Sequence, residues 1–397
     1  MRRCLRIALF ASLVTSFTAL SFLTGYGTSF LLHPGTEQAR ALEREEQFGV
    51  FWEAWRVAQE NFYGSPVDNT RLTYGAIRGA IRTLDDPFTW FADPLMSERI
   101  REDATGRYSG IGSVVNLNEP GYVVIVRPFA GGPADKAGLM AGDLILEIDG
   151  LDTKELSLDE AVSMIRGVEG TAVRLTIQRE GLDSPFQVEV VRAEIEIPSV
   201  EYRTLDQGIA YLKLNDFHAR APAGLHSALA ALLAEQPRAL ILDLRDNPGG
   251  LLSSAIDIGS EFIAEGSIVS ERGSNGLEET HMSRGNGLAT TIPLVVLVNG
   301  GTASAAEIVA GAVQDHERGV LIGEHTFGKG AVQSPIDLSD GSHLRLTIAH
   351  WFTPNGHLIQ EGGIAPDIEV GLTDEDAVAG LDPQLDRAVS YLLANRQ

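Results

Sequence analysis

Hydrophobic positions change their spacing three times along the chain. Between Glu43 and Leu84 they recur at helical intervals: Phe48, Phe51, Trp52 and Trp55, then Leu72, Ile77, Ile81 and Leu84. This predicts two helices joined by the turn-rich stretch NFYGSPVDN, with LDDPFTWF (Leu84–Phe91) ending the second. The aromatic stripe reads as packing. From Gly106 to Arg192 the pattern shortens to strand-like runs, GYVVIVRPF, GDLILEIDG, TAVRLTIQRE and FQVEVVRAEI. A helix over SLDEAVSMIRG interrupts them, with Ser157 and Glu160 placed as a capping box, and GPADKAGL predicts a second short helix.

From Gly208 continuous apolar runs alternate with helical ones. GIAYLKL precedes APAGLHSALAALLAEQ, RALILDL precedes RDNPGG and LLSSAIDIGSEFI, and PLVVLVN precedes GGTAS and AAEIVAGAVQD. Strands apolar on both faces predict a mostly parallel sheet covered by helices, whose ligands sit beyond the C-terminal ends of the strands. Both glycine-rich loops fall at such ends. After Gly319, GVLIGEHT, AVQSPIDL and HLRLTIAHWFT alternate in the manner of antiparallel strands, and DPQLDRAVSYLLANRQ predicts a terminal helix.

The N-terminus carries Arg2, Arg3 and Arg6 before a 26-residue uncharged run, Ile7 to Leu32. At about 1.5 Å per residue such a helix exceeds the roughly 30 Å hydrocarbon core. The leading arginines predict an anchor with the remaining chain outside the cytoplasm, in the cell envelope. A cleaved signal peptide is the alternative. The formal net charge of −23 argues against a nucleic-acid partner. The single cysteine, Cys4, excludes an internal disulfide. Lysines number only four, Lys136, Lys154, Lys213 and Lys329.

Lys329 lies in GEHTFGKGAVQ, Gly323 to Gln333, which fits the opening of a phosphate-binding loop except that Gly330 replaces the hydroxyl residue. A strand-like stretch follows where that loop needs a helix. A lysine held neutral by burial offers different chemistry, that of a general base, and flanking glycines let it approach a partner. NGGTASAAE, Asn299 to Glu307, supplies one: Ser304 at a helix start, where unpaired amides can hold an oxyanion. Ser304 or Thr302 as a simple helix cap is the competing reading, and His325 and His350 are competing bases. LRDNPGGLL, Leu244 to Leu252, makes a turn at a strand end whose amides can face a ligand or serve only as a β–α connection.

Taken together, DLRDNPGGLL, VNGGTASAAEIVAGAVQD, GEHTFGKGAVQ, HWFTPNGHLIQEGGIAPDI and YGAIRGAIRTLDDPF resemble the carboxyl-terminal processing peptidases, from about residue 45 to the end. The resemblance implies an α/β multi-domain chain. It would comprise an anchor (1–34), an N-terminal helical region (40–103), an inserted PDZ domain (104–193), a ClpP/crotonase-like protease core (194–374) and a C-terminal helix (375–397). It implies a serine endopeptidase that cleaves proteins near their C-termini, with Ser304 as nucleophile, Lys329 as base, Gln333 orienting the lysine and Glu307 counted with the site. The amides of Gly250 and Ala305 would be the oxyanion donors. YSGIGSVV and GGPADKAGLMAGDLILEIDG resemble a PDZ domain, which implies that Ser109, Gly110, Ile111 and Gly112 receive a free peptide C-terminus. The family needs no cofactor or metal, and its N-terminal helices imply a homodimer. Thr302, Ala306, His350, His357 and Glu361 depart from the usual residues. An inactive PDZ scaffold is the alternative function.

Overall fold

The computed structural model describes residues 34–395, apart from 65–67, 119, 157, 197–198, 275, 374–375 and 377–378. The expected anchor and the Ser157 cap lie outside the described residues. The chain divides into two units, Met1–Gly75 and Ala76–Gln397. The first holds the helix Pro34–Asn61 and the start of the helix Asn69–Arg82, the pair that the apolar spacing predicts. The aromatic stripe is not packed within it: Phe48 is 57% and Trp52 59% exposed, although Phe51 contacts both rings edge-on. Among the described residues no helix is long and apolar enough to cross a membrane.

The second unit is built on a six-stranded sheet. Its strands run in the order Val200–Leu205, Ile209–Leu214, Ala239–Asp243, Leu294–Val298, Val320–Gly323 and Ile368–Glu369. The first pair is antiparallel and the others are parallel. ALILD and LVVLV are buried along their whole length because both faces are covered. Leu240, Leu242, Val296 and Val298 join helices Ala221–Ala234, Leu252–Phe262 and Ala305–Asp315 in one core. The alternate residues Ile241, Val295 and Leu297 pack against Pro383–Ala394 on the opposite face.

A second, antiparallel sheet runs Trp90–Ala92, His343–Phe352, Ser267–Gly273 and Glu278–Met282, with Ala331–Asp337 also paired to His343–Phe352. Two expectations are corrected here. Val320–Gly323 is a parallel member of the main sheet, because a short run can be buried on either kind of edge and its alternation does not tell them apart. Trp90–Ala92 is a strand of the second sheet, within the region 40–103 expected to be helical and overlapping the stretch read as ending a helix.

The small β-domain lies between the paired strands Arg107–Gly110 and Ala193–Glu196. Its sheet runs Ser113–Leu117, Val123–Pro128, Leu144–Ile148, Ala172–Gln178 and Phe186–Val191, with helices Pro133–Lys136 and Leu158–Ile165. Ile125, Ile145, Leu175 and Ile177 fill its separate core. Ser113–Leu117 is one edge of that sheet, paired among the described residues with Val123–Pro128 alone.

One ionic cluster ties the C-terminal helix to the main sheet. Arg245 donates to Asp243 (2.6 Å), Asp382 (2.8 Å) and Gln384 (3.1 Å), and Tyr211 donates to Asp243 (2.7 Å). Asp382 also accepts from Leu385 N as the helix cap. Asp243 is fully buried. Arg245→Ala would strand its charge, so denaturant titration should show a loss of about 3–5 kcal/mol.

Candidate active site

Ser304 ends the loop after Leu294–Val298 and begins the helix Ala305–Asp315. Its backbone is strained, with φ 54° and ψ −117°, a region where a non-glycine residue costs of order 1–3 kcal/mol. Surrounding bonds impose that conformation. Ala303 N donates to Asn247 O (2.9 Å), Thr302 Oγ1 donates to Leu244 O (2.8 Å), and Phe327 N donates to Thr302 O (2.9 Å). Asn299 bridges to the neighbouring loop, accepting from Asp246 N and donating to Asp246 Oδ1, each at 2.9 Å.

Glu307, three residues along the helix, is completely buried. Its Oε2 accepts from Ser304 N (2.8 Å) and Lys329 N (2.9 Å). Its Oε1 accepts from Gly328 N (2.7 Å) and Thr326 Oγ1 (2.5 Å). One carboxylate thus joins the serine turn to the lysine loop. Ordinary helix capping accounts for the first bond alone.

The glycine turn DNPGG closes the site from the side. A Cβ on Gly249 would stand 2.6 Å from Ala303 O and 2.8 Å from Ala305 N, so only glycine lets this turn lie against Ser304. Gly250 (φ 153°) packs equally tightly on Phe217 O. Among the described residues neither Gly250 N nor Ala305 N donates to a protein acceptor. These are the two amides named as oxyanion donors: Ala305 follows the serine directly, and Gly250 follows Gly249, which lies against it.

Lys329 is half-buried. Burial holds its amine below the usual lysine range, the nearby Arg345 charge adds to this, and Glu307 opposes it. Its Nζ lies over the Phe88 ring, 5.4 Å from the centroid. Among the described residues no hydrogen bond joins Nζ to Ser304. Gln333 donates its side-chain amide to Phe88 O, and a β-bulge between Val332 and Gln333 turns it that way. The glycines beside Lys329 act otherwise than expected. A Cβ on Gly330 would meet Gln360 N at 2.2 Å, and one on Gly328 would meet Glu361 C and Gly363 N at 3.1 Å. They admit the backbone of residues 359–363 rather than easing Lys329 towards Ser304. The strand Ala331–Asp337 follows, so no helix N-terminus faces a phosphate at this loop. His325 and His350 are exposed, and among the described residues neither bonds Ser304.

In the small domain, Ser109 and Gly110 belong to the strand paired with Ala193–Glu196, while Ile111 and Gly112 form the following loop. The amides of Ile111 and Gly112 have no protein acceptor among the described residues. They lie in the loop that leads into the edge strand Ser113–Leu117, and a PDZ domain receives a peptide as an added strand with its terminal carboxylate on such amides. Ser109 Oγ is buried without a partner. Sequence reading missed Phe88 and Arg345: LDDPF reads as a helix stop, and an arginine in a strand carries no local signal.

The profile described as peptidase family S41 matches residues 208–370, and that of a PDZ domain matches 124–179. The carboxyl-terminal-processing protease of Synechocystis sp. is 42% identical over 318 residues, 79% of this chain and 74% of that protein. The carboxy-terminal processing protease CtpA of Bacillus subtilis is 35% identical over 377 residues, 95% of this chain and 78% of that protein. A solved photosystem II D1 C-terminal processing protease superposes with a TM-score of 0.51 at 32% identity, covering 80% of this chain and 86% of its own. A solved S41 protease of Bacteroides fragilis shares the fold, with a TM-score of 0.54 at 19% identity over 84% of this chain and 93% of its own.

Two substitutions test the geometry. Ser304→Gly relieves the positive φ, so thermal unfolding should show a gain of about 1 kcal/mol, whereas a purely capping serine would give a loss. Glu307→Ala leaves buried donors unpaired, and a loss of about 3 kcal/mol or more is expected in denaturant titration.

Proposed function

Because the chain belongs to peptidase family S41 and is a serine protease of the carboxyl-terminal-processing kind, we propose that Ser304 is its nucleophile and Lys329 its base. The observation that carries this reading is the Glu307 carboxylate, which binds Ser304 N and Lys329 N with the same oxygen. Neutral Lys329 takes the hydroxyl proton as Ser304 Oγ adds to the scissile carbonyl. The Gly250 and Ala305 amides hold the oxyanion, and collapse of the intermediate passes the proton to the leaving amine. Lys329 then takes a proton from the water that attacks the acyl-enzyme and passes it to the departing Ser304 Oγ, which restores both residues. Gln333 sets the lysine side of the site.

The substrate is a protein with an apolar free C-terminus, taken up as an added strand beside Ser113–Leu117 with its carboxylate on the Ile111–Gly112 loop. The N-terminal arginine-flanked run anchors the chain, so that it works in the cell envelope. The exposed Phe48 and Trp52 of the first unit form a homodimer contact.

Ser304→Ala and Lys329→Ala should each abolish cleavage of a peptide with an apolar free C-terminus. Wild-type rates in either would remove the reading. Amidating that C-terminus should raise KM and leave kcat nearly unchanged. The base must be neutral, so activity rises with pH through the Lys329 pKa. Burial sets that limb below the range of an exposed lysine.

A further inference from the structure

The LDDPF stretch is part of the family resemblance, yet none of its residues enters the proposed chemistry. In the structure it forms a tight turn directly over the lysine. Asp85 has φ 52°, and Pro87 fixes the next step of the chain. Asp86 Oδ1 accepts from Phe88 N (3.1 Å) and Asp86 Oδ2 from Thr89 Oγ1 (2.6 Å). Thr89 Oγ1 in turn accepts from Thr347 N (3.1 Å), and Thr347 is the register partner of Gln333. The strand Trp90–Ala92 then pairs with residues 343–345 of the same strand. Phe88 is therefore pinned on both sides, and each half of it meets one member of the site. Its ring covers Lys329 Nζ and its carbonyl takes the Gln333 amide.

Resting on the Ser304–Lys329 reading, we propose that Phe88 is a positioning residue for the protease, keeping water from the Lys329 amine and fixing Gln333 beside it. The ring acts in two opposed ways. Its face attracts an ammonium, which favours the charged lysine. Its bulk excludes water, which favours the neutral one. A centroid 5.4 Å away lies near the outer limit of the first effect, while burial dominates the environment of the amine. The charged groups around Lys329 are Glu307 from the helix and Arg345 from the strand, with Asp86 in the turn and His350 acting on Asp86. Phe88 changes none of these charges, so its removal reports on solvent access.

The test is the pH dependence of kcat/KM for the full chain on a peptide with an apolar free C-terminus. Phe88→Ala should move the acid limb upward by about one pH unit, which is about a tenfold loss on that limb. Activity should recover at alkaline pH with KM little altered. Phe88→Leu, still apolar, should restore most of the limb. Phe88→Gln keeps the bulk, admits water and should shift as alanine does, so it carries the test if the alanine variant does not fold. A limb at the wild-type position in whichever of the two folds overturns the proposal. So does a shift to lower pH, which would make ring attraction the stronger effect. Ser304→Ala and Lys329→Ala separate the layers: wild-type rates in both remove the dyad itself, whereas inactive controls with an unmoved Phe88 limb remove only this inference.

Discussion

A buried carboxylate bonded by three backbone amides and one hydroxyl is the constraint on which the site depends. Glu307 is fully buried, and a carboxylate in that position is tolerable only when its lone pairs are filled. Charge-assisted bonds are about twice as strong as neutral ones, so filling them fixes geometry as well as offsetting desolvation. Ser304, Gly328 and Lys329 supply the amides and Thr326 the hydroxyl. The serine turn and the lysine loop, which follow different strands, therefore cannot shift independently. The positive end of the helix dipole favours the same charge.

Around that carboxylate the loops lock one another. Asn299 and Thr302 with side-chain bonds, and Asn247 with its backbone carbonyl, hold the glycine turn and the serine turn together. This rigidity is what keeps Ser304 in a conformation it would not choose alone, and among the described residues the Gly250 and Ala305 amides have no protein acceptor. The main sheet provides the platform, since its parallel strands end at one edge and deliver these loops there. The small domain answers a different need. Its edge strand has one unpaired side among the described residues, where a peptide can be bound through backbone bonds that every sequence carries.

Much of this was legible along the chain. Fully apolar runs such as LVVLV predicted buried parallel strands, because only a sheet covered on both faces hides every side chain. The motifs around Ser304, Lys329 and Gly250 were visible as glycine-rich breaks at strand ends. The role of the glycines was not. Gly328 and Gly330 read as spacers for the lysine, but their missing side chains make room for residues 359–363, some thirty residues away. Val320–Gly323 read as antiparallel because alternation records which faces are wet and not the direction of the neighbouring strand.

The sequence by itself determined most of the element types, the family and the candidate chemistry, since these follow from periodicity, turn residues and short linked motifs. Only the tertiary structure decided what surrounds each reactive group. That Phe88 covers the lysine, that Arg345 lies near it, and that Glu307 binds both loops are juxtapositions of residues distant in the chain. Desolvation and hydrogen bonding depend on such neighbours in space, and so does the protonation of Lys329.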